Sequence, residues 1–171
     1  YSLGTTLQEL SRLEEAEASY TQAVALKPDF VNAHYNLGNT RLKLGRLKAA
    51  QESYMQAIVL KPDYAEAYSN LGNTLKKAGK LEEAKASYRQ SIVLAPDYAE
   101  AHSNLGITLQ ELGILDEAEV SYKQAIVLKP DLVEAHNNLG FTLQELGRLG
   151  EAEASFKRSI VLNPDFVDAH Y

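Results

Sequence analysis

The sequence has no cysteine, no tryptophan and one methionine. Without cysteine there can be no disulfide and no thiolate metal site. No apolar run approaches the ~20 residues of a membrane span, and no signal-peptide pattern opens the chain. Membrane insertion is therefore not expected, and a cytoplasmic location is. No cluster of lysine and arginine is present, and the net charge of -6 has the wrong sign for a surface that must offset phosphate. Nucleic acid is not an expected partner. The phosphate-binding glycine loop, GxSxG and HExxH are missing as well. Carboxylates do come in pairs, as Glu14-Glu15, Glu82-Glu83 and Glu151 with Glu153. They stand where helices should start and there favour the helix dipole. No catalytic residue, cofactor or metal ligand set is expected, and the chain does not read as an enzyme.

What the chain does have is a period. Pro28, Pro62, Pro96, Pro130 and Pro164 lie 34 residues apart, each followed by aspartate. Gly4, Gly38, Gly72, Gly106 and Gly140 keep that interval, as do Gly45, Gly79, Gly113 and Gly147, and Ala16, Ala50, Ala84, Ala118 and Ala152. A fixed period in this range signals a solenoid or array. The division it implies is one array over residues 1–171. A partial unit over 1–30 is followed by units at 31–64, 65–98, 99–132 and 133–166, and residues 167–171 open a further helix.

Within 65–98, Ala67, Tyr68, Leu71, Leu75 and Ala78 share one side of a helix at about 100° per residue, opposite Glu66, Ser69, Asn70, Asn73 and Lys77. Gly79 should end that helix. Leu81, Ala84, Tyr88, Ser91, Ile92 and Ala95 make the apolar face of a second helix, which Pro96 closes. Asp63, Asp97 and Asp131 each precede a glutamate by three residues and are expected to cap the next helix. Gly72 and Ala84 let helices approach closely, and Tyr88 with Tyr20, Tyr54, Tyr122 and Phe156 should fill the space between units. His34, His102, His136 and His170 share one slot with Tyr68. Successive units should lie about 8–10 Å apart, too far to share a metal, so these histidines are expected to pack in place of an aromatic ring.

The Leu-Gly pair, the alanine, the aromatic, the small residue and the closing proline, as in Leu105-Gly106, Ala118, Tyr122, Ala125 and Pro130, resemble the tetratricopeptide repeat family over nearly the whole chain. Two features depart from its pattern. The family's early tryptophan is absent, and Arg41-Leu42 stands where other units have leucine before lysine or glutamine. The resemblance implies an all-α fold, a right-handed α-solenoid (superhelix) of antiparallel helix pairs, whose first helices line a concave groove. It also implies a non-catalytic scaffold that binds a protein or an extended peptide segment.

The groove stripe then holds Asn36, Asn70, Asn104 and Asn138. A carboxamide offers one acceptor and two donors and can pair with both backbone groups of a peptide. Such a ladder is similar to the one in the repeat domain of O-linked N-acetylglucosamine transferases. The alternative for these asparagines is that they are solvated or bridge adjacent helices. A flanking slot changes from Thr5 through Asn39 and Asn73 to Ile107 and Phe141, making the C-terminal half more apolar. Lys43, Lys76 and Lys77 make the middle units basic, and Glu9, Glu111 and Glu145 make their neighbours acidic. Asn39 and Asn70 also fit part of the carboxylate clamp of chaperone adaptors. The slots for its basic residues hold Tyr35, Glu100 and Asn104, and Glu100 would repel a carboxylate. The chain starts partway into one helix and ends on VDAHY. Either it is an excerpt, in which case it could recruit substrate for a larger glycosyltransferase-like enzyme, or its ends associate between copies into a self-assembling array.

Overall fold

In a computed structural model, residues 2–9 and 12–164 of the chain are described. Asp165, His170 and the helix start expected over 167–171 lie outside them. Ten helices are present among the described residues: α1 (Ser2–Glu9), α2 (Leu13–Leu26), α3 (Val31–Lys43), α4 (Leu47–Leu60), α5 (Ala65–Lys77), α6 (Leu81–Leu94), α7 (Ala99–Glu111), α8 (Leu115–Leu128), α9 (Val133–Glu145) and α10 (Leu149–Leu162). Packing divides them after Leu94 into a first unit, α1 to α6, and a second, α7 to α10. Within each unit every helix packs on the next, and α3 touches α5 as α7 touches α9. That stacking of helix pairs is the arrangement of an α-solenoid.

The turns follow from two residues. Gly45, Gly79, Gly113 and Gly147 have φ of 71–75°, the left-handed region that favours glycine. Around Gly79, Lys80 N–H donates to Leu75 O and Gly79 N–H to Lys76 O, both at 2.9 Å. This pair of bonds satisfies carbonyls that the helix end leaves open. At the other end of a pair, Phe30 N–H donates to Lys27 O at 3.1 Å across Pro28-Asp29. Proline here takes the second position of a β-turn, whose φ it presets, and aspartate the third.

That turn corrects the capping expectation. The residues before α3, α5, α7 and α9 are Phe30, Tyr64, Tyr98 and Leu132, with no side-chain cap. Asp29 and Asp63 lie one residue too early, and it is their carbonyls that accept from Val31 and Ala65 N–H.

The core repeats one fitting. A Cβ added at Gly72 would lie 2.7 Å from the Tyr88 ring, and Gly38 and Gly106 stand in the same relation to Tyr54 and Tyr122. Each tyrosine is fully buried against the glycine of its own helix pair. Tyr20 also clusters with Leu37 of the following pair, so the ring serves both within and between pairs. Ser69, expected on the open side of α5, is 1% exposed, because α3, α4 and α6 all pack on that helix and leave little of it uncovered.

The Arg41 departure also has a cause. Leu75, Leu109 and Leu143 are buried at its position. Arg41 instead reaches Glu17 on α2 at 2.9 Å and Ser53 on α4 at 2.8 Å, and Arg46 pairs with the same carboxylate. No helix among the described residues is long and apolar enough to cross a membrane.

Candidate functional site

All ten candidate residues lie on the first helices of the pairs: Asn36, Asn39 and Lys43 on α3, Asn70, Asn73 and Lys77 on α5, Asn104 and Ile107 on α7, and Asn138 and Phe141 on α9. The spacing of three and then four residues keeps each set on one helical stripe. One feature holding the stripe is a threonine that sequence reasoning passed over. Thr40, Thr74, Thr108 and Thr142 are buried, and each donates to the carbonyl of the asparagine four residues before it, at 2.8–2.9 Å.

The asparagines differ in what their carboxamides do. Asn70 donates to the Tyr35 hydroxyl at 2.9 Å and to Asn39 Oδ1 at 3.0 Å, tying α5 to α3. Asn39 Oδ1 also accepts from the Tyr54 hydroxyl at 2.7 Å, and Asn73 Oδ1 from the Tyr88 hydroxyl at 2.7 Å. Asn73 Nδ2 in turn lies 3.5 Å from Asn70 Oδ1. Three asparagines and three tyrosines thus form one network inside the first unit. Burial, with a smaller effect of Tyr35, pushes the Tyr54 phenol well above its usual range, so the donor stays protonated.

The second unit carries a different solution. Where Asn39 and Asn73 would stand, it has Ile107 and Phe141, which cannot accept. Tyr122 turns its hydroxyl to Gln110 Oε1 at 3.2 Å, and Gln110 Nε2 donates to Glu145 at 2.7 Å. In the last pair the second partner has changed as well: Phe156 replaces tyrosine and meets Phe141 edge-on at 5.0 Å. Asn138 makes no side-chain hydrogen bond among the described residues, and Asn104 makes none within its unit. Both are half-buried, and Phe141 is 39% exposed.

Lys43 and Lys77 are exposed and form no ion pair among the described residues. Glu100 is held by Lys129 at 3.0 Å, a hydrogen bond that keeps its carboxyl below the usual range. The histidines do more than fill space. His34, His102 and His136 approach the carbonyls of Pro28, Pro96 and Pro130 at 2.8–3.0 Å. A carbonyl only accepts, so Nε2 carries the proton. Each ring pins the turn six residues before it.

Family models described as TPR repeat match residues 4–45, 38–79, 72–113 and 111–147, and one described as Tetratricopeptide repeat matches 133–166. Among solved structures, that of MamA is 26% identical, with a TM-score of 0.89 over 98% of this chain and 97% of that one. A thermophilic TPR protein of Thermus thermophilus is 29% identical, with a TM-score of 0.73 over 98% and 91%. YrrB, described as a TPR protein with an unusual peptide-binding site, is 24% identical, with a TM-score of 0.81 over 96% and 84%. No curated protein sequence matches the chain.

Proposed function

The chain belongs to the tetratricopeptide repeat family, and from that premise we propose that it is a non-catalytic scaffold binding an extended peptide segment along its first helices. The observation that carries this reading is the pair Asn104 and Asn138. Their carboxamides sit 34 residues apart on touching helices, half-buried, and nothing in their own unit takes up their two donors and one acceptor. A polar group so placed would gain from a partner's backbone what the fold does not supply.

In the first unit the same stripe is spent differently. Asn39, Asn70 and Asn73 are engaged with one another and with tyrosines, and Asn36 is engaged too. There Lys43 and Lys77 are the groups left to meet a partner. YrrB, by its description a peptide binder of the same fold, is consistent with the reading.

The test is to pan the chain against a displayed peptide library and to measure the selected peptide on the parent and on Asn104→Ala with Asn138→Ala. The double variant should bind about 1–3 kcal/mol more weakly while keeping its helical content by circular dichroism. Equal affinity in the two proteins would refute the proposal.

A further inference from the structure

The first unit's stripe has a polarity of its own, which narrows the ligand; this step rests on the peptide-binding reading above. Asn39 Oδ1 is taken twice, by the Tyr54 hydroxyl and by Asn70 Nδ2, and Asn73 Oδ1 is taken by the Tyr88 hydroxyl. The acceptors of both carboxamides thus face into the network. Asn39 Nδ2 has no partner among the described residues, and no buried side-chain nitrogen there lacks one, so this amide reaches solvent. Asn73 Nδ2 spends one proton on a long 3.5 Å contact with Asn70 and keeps the other.

Lys43 and Lys77 stand four residues on, one helical turn beyond Asn39 and Asn73. Both are exposed and make no ion pair among the described residues. Glu66, the one acid of α3 and α5, sits eleven residues before Lys77, about 16 Å away along the helix. On the neighbouring second helices, Glu17 is held by Arg41 and Arg46, Glu82 by Lys85 and Glu83 by Lys80. Two touching helices therefore present the same pair at the same level, an amide donor and a cation.

We infer that the α3–α5 face takes an acidic segment, with one side-chain carboxylate over Asn39 and Lys43 and a second over Asn73 and Lys77. A carboxylate only accepts, and here it meets groups that only donate. The segment crosses from one helix to the next, so helix packing sets the spacing of its acids. Axes of packed helices lie about 8–10 Å apart. A polyproline II segment rises about 9.3 Å in three residues and returns its side chains to the same side at that interval. Acids three residues apart therefore reach both pairs. The clamp of chaperone adaptors holds a chain end, whereas this face needs none.

Fluorescence anisotropy with the labelled, C-terminally amidated peptide Ser-Gly-Asp-Pro-Pro-Asp-Gly-Ser tests this, beside companions carrying asparagine or lysine for both aspartates. The acidic peptide should bind about tenfold tighter than the asparagine companion at low salt, and by less as salt rises. Lys43→Glu with Lys77→Glu copies the glutamates that α7 and α9 carry at these slots, which protects the fold, and should place the lysine companion above the acidic peptide. Asn39→Asp keeps the acceptor used by Tyr54 and Asn70 while replacing the outward donor, and should weaken the acidic peptide alone. Equal binding of all three peptides that is lost in Asn104→Ala with Asn138→Ala overturns the inference and leaves the peptide-binding reading standing. A preference for the acidic peptide that survives in the Lys43→Glu, Lys77→Glu variant also overturns it, as does tighter binding of a labelled oligouridylate. If the acidic peptide does not bind at all, the inference falls, and library panning decides the broader reading.

Discussion

Phe141 and Phe156 meet edge-on, 5.0 Å between centroids, at the place where Asn73 and Tyr88 share a 2.7 Å hydrogen bond. The two positions have changed together, an acceptor lost on one helix and a hydroxyl lost on the next. This pairing predicts strong coupling at residues 73 and 88. Tyr88→Phe should cost about 1 kcal/mol by leaving Asn73 without its donor, and Asn73→Ala a similar amount by removing an acceptor of the Tyr88 hydroxyl. A double-mutant cycle in urea should return a coupling of about 1 kcal/mol. Additive losses would show that the bond contributes nothing.

The glycines divide into three kinds. Gly72→Ala would put a methyl 2.7 Å from the Tyr88 ring and should cost about 1–3 kcal/mol through overpacking. Gly79→Ala meets open space but forces φ of 74°, and should cost about 1 kcal/mol. Gly150, in the first turn of α10, has nothing within 4 Å, so alanine there should stabilise by about 0.5–1 kcal/mol. Thermal melts of the three variants should rank in that order, with only Gly150→Ala above the parent.

Glu119 supplies a pH dependence. Its hydrogen bond from Lys123, with a further one from Arg148, lowers its carboxyl below the usual value. A carboxyl lowered on folding contributes stability that is fully present above its unfolded pKa of about 4.3 and is lost as pH falls through the folded value. The parent should therefore exceed Glu119→Gln in urea midpoint at pH near 7 and lose that advantage on acidification below about 4. An advantage that grows in acid would contradict the assignment.

Much of this architecture is written in the period. The prolines, the left-handed glycines and the small residues under the rings act within a few residues of themselves, so spacing alone reveals them. Asn70 shows where that stops. Its partners Tyr35 and Asn39 lie 35 and 31 residues away, and only the stacking of α3 on α5 decides that its donors are spent. The histidines are legible as a slot but not as donors, because the turn that aims Pro28 O at His34 is tertiary detail. Asp63 reads as a cap because it precedes Glu66 by three, yet the β-turn across Pro62 shifts the helix start one residue on. One further signal is present in the residues themselves: the only unit with phenylalanine at the slot is also the only one with phenylalanine for tyrosine at position 156.

Asn70→Ala should act on the fold. It removes the two donors that join α5 to the Tyr35 hydroxyl and to Asn39 Oδ1 on α3, at a cost of about 1–2 kcal/mol. Denaturant unfolding would show it, and an unchanged midpoint would mean that water replaces the bridge without loss.

The most direct test of peptide binding is the affinity of a panned peptide for Asn104→Ala with Asn138→Ala, read beside its melting curve. Binding should weaken by about 1–3 kcal/mol while the melting temperature stays equal to the parent's. Unchanged affinity, or a melting temperature that falls as it does in Asn70→Ala, would contradict the role given to these two asparagines.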